Sequence, residues 1–288
     1  MNIRATSKVL GVIGHPVEHS FSPDMHNAAI DVLGVDYCYV AFHVLPERVG
    51  FAMQGLRGLD IRGLNVTIPH KLAVMEHLDR ISEEALAVGA VNTISNEDGE
   101  LVGHNTDVYG VVTALERAAG LHTFPPRCAV LGAGGAARAV VYALGTRAEV
   151  RDIAILNRTA ARAESLARDM ERITGKRICV GAMDAASQAR AFAEAGLVVN
   201  ATSVGMYPKV DVSPLLAERA VHSSLVLYDT VFNPLKTRLM SQFEAAGAPA
   251  YGGLDMLVFQ GARSFEIWTG IAPPAEVMKQ AVIGRFQA

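Results

Sequence analysis

The sequence has few charged residues, and neither sign of charge predominates. Charged side chains make up 19% of the 288 residues, and the net charge is -3. A chain without a basic excess lacks the surface that binds phosphate backbones, so we expect no nucleic acid partner. The sequence also lacks any run of the roughly 18 apolar residues that a membrane span needs. A small molecule is therefore the expected partner.

Cysteines are scarce as well. The three of them, Cys38, Cys128 and Cys179, lie far apart without Cys-x-x-Cys spacing, which predicts reduced, buried thiols and no disulfide framework. Residues 1–8 lead straight into a strand-like run without the apolar segment of a signal peptide. Together these features predict a cytoplasmic protein, which we expect to be a monomer or a homodimer.

What the chain does have is apolar residues, 50% of its length, enough for two hydrophobic cores. The first part alternates strand-like and helix-like segments, which is typical of a mostly parallel α/β sheet. Its strand-like segments are 9–14, 37–44 and 63–69, and its helical segments are 23–33 and 46–56. The pair Asp98-Gly99 between two extended segments predicts a tight hairpin. A helix is expected from about Val108, with Gly120 as its stop.

A stretch with two prolines and no periodicity, 121–127, predicts a domain boundary. From Cys128 a second alternation of strands and helices follows the pattern of a nucleotide-binding sheet. After its last strand comes the amphipathic, helical segment 256–270. We therefore predict an α/β domain over 1–120, to which 256–288 return, and a Rossmann-type domain over 121–255.

Residues 132–137 form a G-x-G-x-x-A motif between a strand and a helix, which is the context that dinucleotide binding requires. Gly132 permits the tight turn, Gly134 lets the backbone approach a pyrophosphate, and Ala137 lets the helix pack closely on the strand. The motif alone is weak, because a tight turn without a ligand can have the same residues.

The end of the next strand favours NADP over NAD. NAD-binding proteins carry an acidic residue about 20 residues after the glycines, whereas this chain has Asn157-Arg158-Thr159 there. Arg158 and Arg162 could hold a 2′-phosphate through charge-assisted hydrogen bonds. The alternative is that both are solvated arginines at a helix start.

Three polar clusters in the first domain follow strand ends, where open α/β sheets bind ligands; they are residues 19–23, 65–71 and 92–107. Ser20 and Ser22 place two hydroxyls at a helix amino terminus, which suits a carboxylate. Ser22 could equally be an ordinary N-cap before Pro23.

Lys71 follows Pro69 and is expected in the first turn of a short helix, where the helix dipole disfavours a cation. That place is poor for a structural lysine and suggests a proton-transfer group. Asp107 is expected to be the N-cap of the helix that begins at Val108, and capping is compatible with a catalytic role.

The histidines His15, His19 and His26 suggest a metal site. However, their spacing matches no known zinc motif, and hydride transfer to NADP needs no metal. We therefore predict none.

Taken together, the motifs resemble those of shikimate dehydrogenases. In chain order they are GHPVEHSFSPDMHN, NVTIPHK, GAVNTI, GHNTD, GAGGAARA, NRT, NATSVGM and GLDMLVFQGA. They cover nearly the whole chain, and eight motifs in one order are specific where each alone is weak. The resemblance implies a substrate-binding domain over 1–120, an NADP-binding domain over 121–255, and reversible NADPH-dependent reduction of 3-dehydroshikimate to shikimate, a step of aromatic amino acid biosynthesis.

The resemblance also implies roles for particular residues. Lys71 and Asp107 would be the proton-transfer pair, and Ser20 and Ser22 would bind the substrate carboxylate. The residues implied to hold the ring hydroxyls are Thr67, Asn92, Asp107 and Gln260. Those implied for the cofactor are Gly132, Ala133, Gly134, Gly135 and Ala136 at the pyrophosphate, Asn157, Arg158, Thr159 and Arg162 at the 2′-phosphate, and Thr202, Thr230, Gly253 and Met256 near the nicotinamide.

Three residues depart from the family pattern. His70 replaces the phenylalanine that is common before the lysine, Phe232 replaces a frequent substrate-side tyrosine, and His104 replaces another common residue. Two alternatives stay open: an NAD-dependent quinate/shikimate dehydrogenase, which Arg158 disfavours, and a non-catalytic NADP/shikimate-sensing module, which Lys71 and Asp107 disfavour.

Overall fold

The computed structural model describes residues 3–287, which form two compact units. Unit 1 runs as far as Gly110 and resumes at Val258, and unit 2 comprises Val111–Leu257. The domain limits inferred from the sequence, 1–120 with 256–288 and 121–255, stay a prediction. Within residues 3–287 no helix is both long enough and apolar enough to cross a membrane.

Unit 1 contains a six-stranded sheet in the order β2-β1-β3-β5-β6-β4. Its strands are β1 (Lys8–Gly14), β2 (Tyr37–His43), β3 (Gly63–Val66), β4 (Arg80–Ile81), β5 (Thr93–Glu97) and β6 (Glu100–His104). The pairs β1–β2, β1–β3 and β4–β6 are parallel, whereas β5 runs antiparallel to β3 and β6. The sheet is thus mostly parallel, as the sequence predicts.

The hairpin between β5 and β6 is the one predicted from Asp98-Gly99. Both turn residues have positive φ, 54° and 95°, which a two-residue turn of this kind requires and which Asp and Gly tolerate. The turn returns the chain to its starting edge of the sheet, because Thr93 at the start of β5 pairs with His104 at the end of β6. Residues before β5 and after β6 therefore lie together.

Helices cover the sheet of unit 1. They are α1 (Ser22–Leu33), α2 (Val49–Gly58), α3 (Glu83–Val88), the start of α4 (Asp107–Arg117), most of α9 (Leu254–Thr269) and α10 (Ala275–Gln287). The helix predicted over 46–56 begins as a 3₁₀ turn, Pro46–Arg48, before α2. α10 packs against α1, which confirms that the last helices return to the first part of the chain. A buried apolar cluster that includes Met53, Leu56 and Ile94 forms the core on one side.

Unit 2 contains a six-stranded parallel sheet in the order β12-β11-β10-β7-β8-β9. Its strands are β7 (Arg127–Leu131), β8 (Asp152–Asn157), β9 (Arg177–Ala182), β10 (Leu197–Asn200), β11 (Val226–Asp229) and β12 (Ala250–Tyr251). This is the doubly wound Rossmann order, with the strand order reversing between β7 and β10. Its helices include α5 (Gly135–Gly145), α6 (Ala160–Thr174), α7 (Ala185–Glu194) and α8 (Arg238–Ala245).

Apolar periodicity did not predict α7 and α8, although each has a capping residue that the sequence shows. Asp184 caps α7 by accepting a hydrogen bond from the Ser187 N–H, and Thr237 caps α8 through the Met240 N–H. Cys179 also differs from expectation, because it is exposed on the edge strand β9, whereas Cys38 and Cys128 are buried.

Candidate active site

The polar residues predicted for the substrate meet at one edge of the sheet of unit 1. Thr67 follows β3, Asn92 precedes the antiparallel β5, and Asp107 lies shortly after β6. Ser20 lies in the loop between β1 and α1, at the same edge, because β1 and β3 are parallel and Ile13 pairs with Val66. Strand direction alone therefore collects residues that are far apart in the sequence.

Lys71 and Asp107 form an ion pair at this edge. The Lys71 Nζ lies 2.5 Å from an Asp107 carboxylate oxygen, and their side chains are 15% and 7% exposed. Such a pair is partly desolvated, so removing either side chain would leave the other as an uncompensated, shielded charge. Lys71 occupies a turn before the 3₁₀ helix Ala73–His77, so the expectation that it lies in a first helical turn was wrong. The group that faces its Nζ is the Asp107 carboxylate.

Asp107 is not the N-cap that the sequence suggested. It is the first residue of α4, and the Asn105 side chain caps the helix by accepting from the Asp107 and Val108 N–H groups at 3.1 and 3.4 Å. Because Asn105 performs this task, the Asp107 carboxylate is available to Lys71 and Asn92.

Asn92 fixes the second oxygen of Asp107. The Asn92 Oδ1 accepts from the Thr106 backbone N–H at 2.7 Å, and a backbone N–H can only donate, so the orientation of the amide is set. Its NH₂ group then donates to Asp107 Oδ1 at 2.9 Å and to Gln260 Oε1 at 3.3 Å. The Asp107 carboxylate thus accepts from Lys71 on one oxygen and from Asn92 on the other, and Gln260 is brought into the same cluster.

A row of buried hydroxyls supports this cluster and was missed in the sequence. Ser264 lies one helical turn after Gln260 and contacts the Thr93 and Thr106 hydroxyls at 2.8 and 3.1 Å. Asn65 donates to Ser264 at 3.0 Å and to Thr93 at 3.1 Å. The available signal was a polar residue within the otherwise apolar strand GLNV, since buried polar groups persist where they are satisfied.

Ser20 and Ser22 lie side by side but not in the predicted capping arrangement. Ser22 is the first residue of α1, and the N-cap position is Phe21, whose side chain makes no capping hydrogen bond. Ser20 Oγ accepts from the Ser22 N–H at 3.2 Å. Ser22 is buried and Ser20 and Thr67 are half-buried, so the role of Ser22 as an N-cap is excluded while the carboxylate role stays a prediction.

His70 and His104, the two histidines of unit 1 that depart from the family pattern, each have a hydrogen-bond partner nearby. His70 is buried, and its Nε2 lies 2.7 Å from the Val44 carbonyl, so it ties down the turn that carries Lys71. His104 Nε2 lies 3.2 Å from the Ser95 hydroxyl, and burial lowers the pKa of His104.

The histidines weighed as metal ligands have other partners. His26 is stacked on Tyr39, with ring centroids 4.3 Å apart, and burial lowers its pKa to about 3. The His15 ring is stacked on His43. In the described part of the chain, residues 3–287, no group of three or more His, Cys, Asp or Glu is arranged to hold a metal ion.

In unit 2 the glycine motif lies at the switch point of the sheet. Gly132 follows β7 with φ +109°, and a Cβ there would lie 3.0 Å from the Ala201 carbonyl after β10, so only glycine fits. Gly134 is the N-cap of α5 and has no side chain with which to bond the first-turn N–H groups. These features suit a pyrophosphate at the helix amino terminus.

The residues predicted for a 2′-phosphate also follow a strand end. Asn157 ends β8, Thr159 is the N-cap of α6 without a side-chain cap, and Asn157 donates to the Thr159 carbonyl at 2.9 Å. Arg158 and Arg162 are both exposed. They flank a helix amino terminus, a position that accommodates an anion.

The predicted nicotinamide-side residues lie on loops that a buried network orders. Asn200 Oδ1 accepts from the Thr202 hydroxyl at 2.7 Å, and the Asn200 amide donates to Asp229 at 2.9 Å. Asp229 also accepts from Thr237 at 2.7 Å and from the Val231 N–H at 3.1 Å. The network spans the carboxyl ends of β10 and β11, which is where Thr202 and Thr230 stand.

Three further predicted residues follow the last two strands of unit 2 or lie in α9. The Gly253 N–H donates to the Val231 carbonyl at 3.0 Å, and Met256 is buried in the first turns of α9. Phe232, predicted for the substrate, follows β11 in unit 2, whereas the other predicted substrate residues belong to unit 1. Its role stays a prediction.

Asp229→Asn should change how stability depends on pH. Burial raises the pKa of Asp229 from 3.8 to about 6, against hydrogen bonds that lower it. The folded protein therefore keeps a proton that the unfolded chain releases between about pH 4 and 6, so this group destabilises the fold as the pH rises through that window. The shift corresponds to about 3 kcal/mol.

Urea unfolding of both proteins at pH 4, 5, 6 and 7 measures this effect. Carboxylates with lowered pKa, such as Asp79 and Asp184, contribute equally to wild type and variant, so the difference between the two profiles isolates Asp229. The variant should gain stability relative to wild type as the pH rises from 4 to 7. Parallel profiles would contradict the prediction.

Unit 2 has the fold of Rossmann-type nucleotide-binding domains, and unit 1 holds a lysine–carboxylate pair at the edge of its own sheet. These features define an α/β protein of the class that includes nicotinamide-dependent dehydrogenases. Comparison with known proteins narrows this class. The chain belongs to the shikimate dehydrogenase family.

Three family models match successive parts of the chain. They describe a shikimate dehydrogenase substrate binding domain at residues 12–94, a shikimate/quinate 5-dehydrogenase at 118–227 and a shikimate 5'-dehydrogenase C-terminal domain at 253–283. A shikimate dehydrogenase (NADP(+)) of Methanocaldococcus jannaschii is 44% identical over 288 residues, 99% of each chain. The predicted family is thereby confirmed.

Solved structures agree with these matches. A shikimate dehydrogenase crystallised with NADP+ has a TM-score of 0.91 and 42% identity, and the match covers 99% of this chain and 97% of that chain. A shikimate 5-dehydrogenase of Thermus thermophilus in complex with NADP(H) and shikimate has a TM-score of 0.83 and 38% identity, with 96% and 99% covered. The predicted fold class is confirmed as well.

Proposed function

We propose that the protein catalyses the reversible NADPH-dependent reduction of 3-dehydroshikimate to shikimate, a step of aromatic amino acid biosynthesis. The observation that carries the proposal is the Lys71–Asp107 pair, 2.5 Å apart and shielded from solvent, in a chain of this family. A lysine that is shielded from solvent and bonded to a carboxylate is suited to proton transfer at a carbonyl oxygen.

The residues of this chain bind the substrate, orient it and transfer the proton. Lys71 supplies a proton from Nζ to the substrate oxygen that becomes the C3 hydroxyl, and in the oxidative direction it accepts that proton. Asp107, held by Asn92, keeps Lys71 in place. Ser20 and Ser22 bind the substrate carboxylate at the start of α1, where N–H groups favour an anion. Thr67, Asn92, Asp107 and Gln260 hold the ring hydroxyls, and Phe232 lies against the substrate.

NADP, when bound, supplies or accepts the hydride. The positive-φ turn at Gly132 and the uncapped start of α5 fit its pyrophosphate, with Gly132, Ala133, Gly134, Gly135 and Ala136 as the contact residues. The 2′-phosphate is assigned to Asn157, Arg158, Thr159 and Arg162, and the nicotinamide side to Thr202, Thr230, Gly253 and Met256.

On this proposal residues 1–120 with 256–288 are the substrate domain, and 121–255 bind NADP. The net charge of -3 provides no basic excess for a phosphate backbone, which supports a small-molecule substrate and no nucleic acid partner. We propose a cytoplasmic monomer or homodimer.

A spectrophotometric assay of nicotinamide absorbance tests the function. Purified protein is incubated with shikimate or quinate, each with NADP or NAD, in four reactions. We expect shikimate with NADP to give the highest kcat/KM. Preference for quinate with NAD would replace the proposal by the quinate/shikimate alternative, and the absence of turnover in all four reactions would favour a sensing module.

A further inference from the structure

One side chain of the last helix reaches the segment proposed to bind the substrate carboxylate. Arg285 Nη1 donates to the backbone carbonyl of Ser20 at 2.6 Å and to the Asp24 carboxylate at 2.6 Å. The same guanidinium lies over the Phe21 ring, 4.4 Å from its centroid. A single arginine from α10 therefore contacts three residues between positions 20 and 24.

Local backbone bonds and α10 both support this segment: the Ser20 N–H donates to the Val17 carbonyl at 3.0 Å, and the Met25 N–H donates to the Phe21 carbonyl at 3.2 Å. The N-cap of α1 is Phe21, whose side chain makes no capping hydrogen bond, and the Ser22 N–H donates to Ser20 Oγ at 3.2 Å. Contacts from α10 add to these bonds, since Phe286 also stacks on Phe21 with ring centroids 4.8 Å apart. The Ser20 carbonyl is thus held by a residue 265 positions away.

The charge of Arg285 has little long-range effect here. The side chains of Arg285 and Asp24 are 36% and 37% exposed and their charges offset each other; water and salt screen what remains. An effect of Arg285 on a substrate carboxylate would therefore act through the backbone that it holds.

We propose that Arg285 is a positioning residue for the substrate: by holding the Ser20 carbonyl, it keeps the Ser20 and Ser22 hydroxyls directed at one carboxylate. The inference rests on the proposed function, because it assumes that these serines bind that carboxylate. It makes α10 a determinant of substrate affinity, with no part in the proton transfer at Lys71.

The test compares Arg285→Met with a matched control, Arg80→Met. Arg80 is an exposed arginine of the same unit that bonds two carboxylates, Glu97 and Glu100, away from the serine segment. We expect R285M to raise the KM for shikimate about tenfold while kcat stays within about twofold, since it weakens a contact made equally in the ground and transition states. R80M should leave both constants unchanged.

Two further measurements separate positioning from simple attachment of α10 to α1. Asp24→Asn removes the ion pair but leaves the bond to the Ser20 carbonyl, so its KM should be no higher than that of wild type. The carboxamide analogue of shikimate lacks the charge that the serines recognise. The ratio of kcat/KM for shikimate to kcat/KM for the amide should therefore be about tenfold smaller in R285M than in wild type.

The outcomes are distinguishable. Wild-type KM and an unchanged amide ratio in R285M, with only a lower melting temperature, would show that Arg285 merely attaches α10 and would overturn the inference alone. Failure of the wild-type enzyme to turn over shikimate would overturn the proposed function first. If R285M does not fold, Arg285→Gln, which keeps part of the stem, replaces it with the same expected KM and the same overturning result.

Discussion

Lys71→Met should lower kcat for shikimate oxidation by at least about 100-fold, while the dissociation constant for shikimate changes only a few-fold. The magnitude is that of a lost general acid–base group. Methionine keeps much of the aliphatic stem, so the variant removes the proton carrier without opening a large cavity. Steady-state rates from nicotinamide absorbance and shikimate binding by calorimetry give the two numbers.

Lys8→Met is the matched control, because Lys8 is exposed at the start of β1, at the opposite end of that strand from the edge that carries Lys71 and Asp107. It should retain wild-type kcat. Asp107→Asn extends the test. The amide keeps the shape of the side chain but removes the negative charge that faces Lys71, so kcat of this variant should also be lower than that of wild type. A Lys71→Met variant whose kcat stays within about tenfold of wild type would exclude Lys71 as the proton-transfer group.

Arg158→Ala combined with Arg162→Ala should reverse the cofactor preference. Charge-assisted hydrogen bonds from two guanidinium groups to a phosphate contribute several kcal/mol, so kcat/KM for NADP should fall at least about 100-fold. NAD has no 2′-phosphate, and its kcat/KM should be unchanged or higher. The ratio of the two specificity constants is the quantity to measure.

Arg168→Ala provides the control, since Arg168 is exposed on the same helix α6, beyond its first turn. It should leave the NADP preference intact, because a helix-start phosphate contacts only the first turn. If the double variant keeps the wild-type ratio, the two arginines are solvated side chains and the basis of NADP selection lies elsewhere.

The parts of this protein that follow from local rules were predictable from the sequence. The hairpin at Asp98-Gly99 follows from backbone preference, and the turn at Gly132 follows from the need for positive φ. Apolar alternation likewise indicated both sheets. Polar helices with few apolar positions, such as α7, were missed because their periodicity is weak, although Asp184 marks the start.

The places where prediction failed are those where another residue took over a task that the local spacing had assigned to Ser22, Asp107 or Lys71. Ser22 and Asp107 both have the residue type of an N-cap, but α1 begins one residue earlier than expected and Asn105 caps α4. Lys71 has the spacing of a first helical turn, but His70 and the Val44 carbonyl shape a turn there instead. The contact between His70 and Val44 joins residues 26 positions apart, so no local pattern contains it.

The sequence by itself determined the two α/β units, the Rossmann order, the glycine turn and the family, because each depends on periodicity, on backbone freedom or on motifs in a fixed order. The tertiary structure alone decided how Asp107 is held between Lys71 and Asn92, how Ser264 supports them, and how Arg285 reaches Ser20. These contacts join residues tens to hundreds of positions apart. Strand direction and helix packing, which no local preference encodes, bring such residues together.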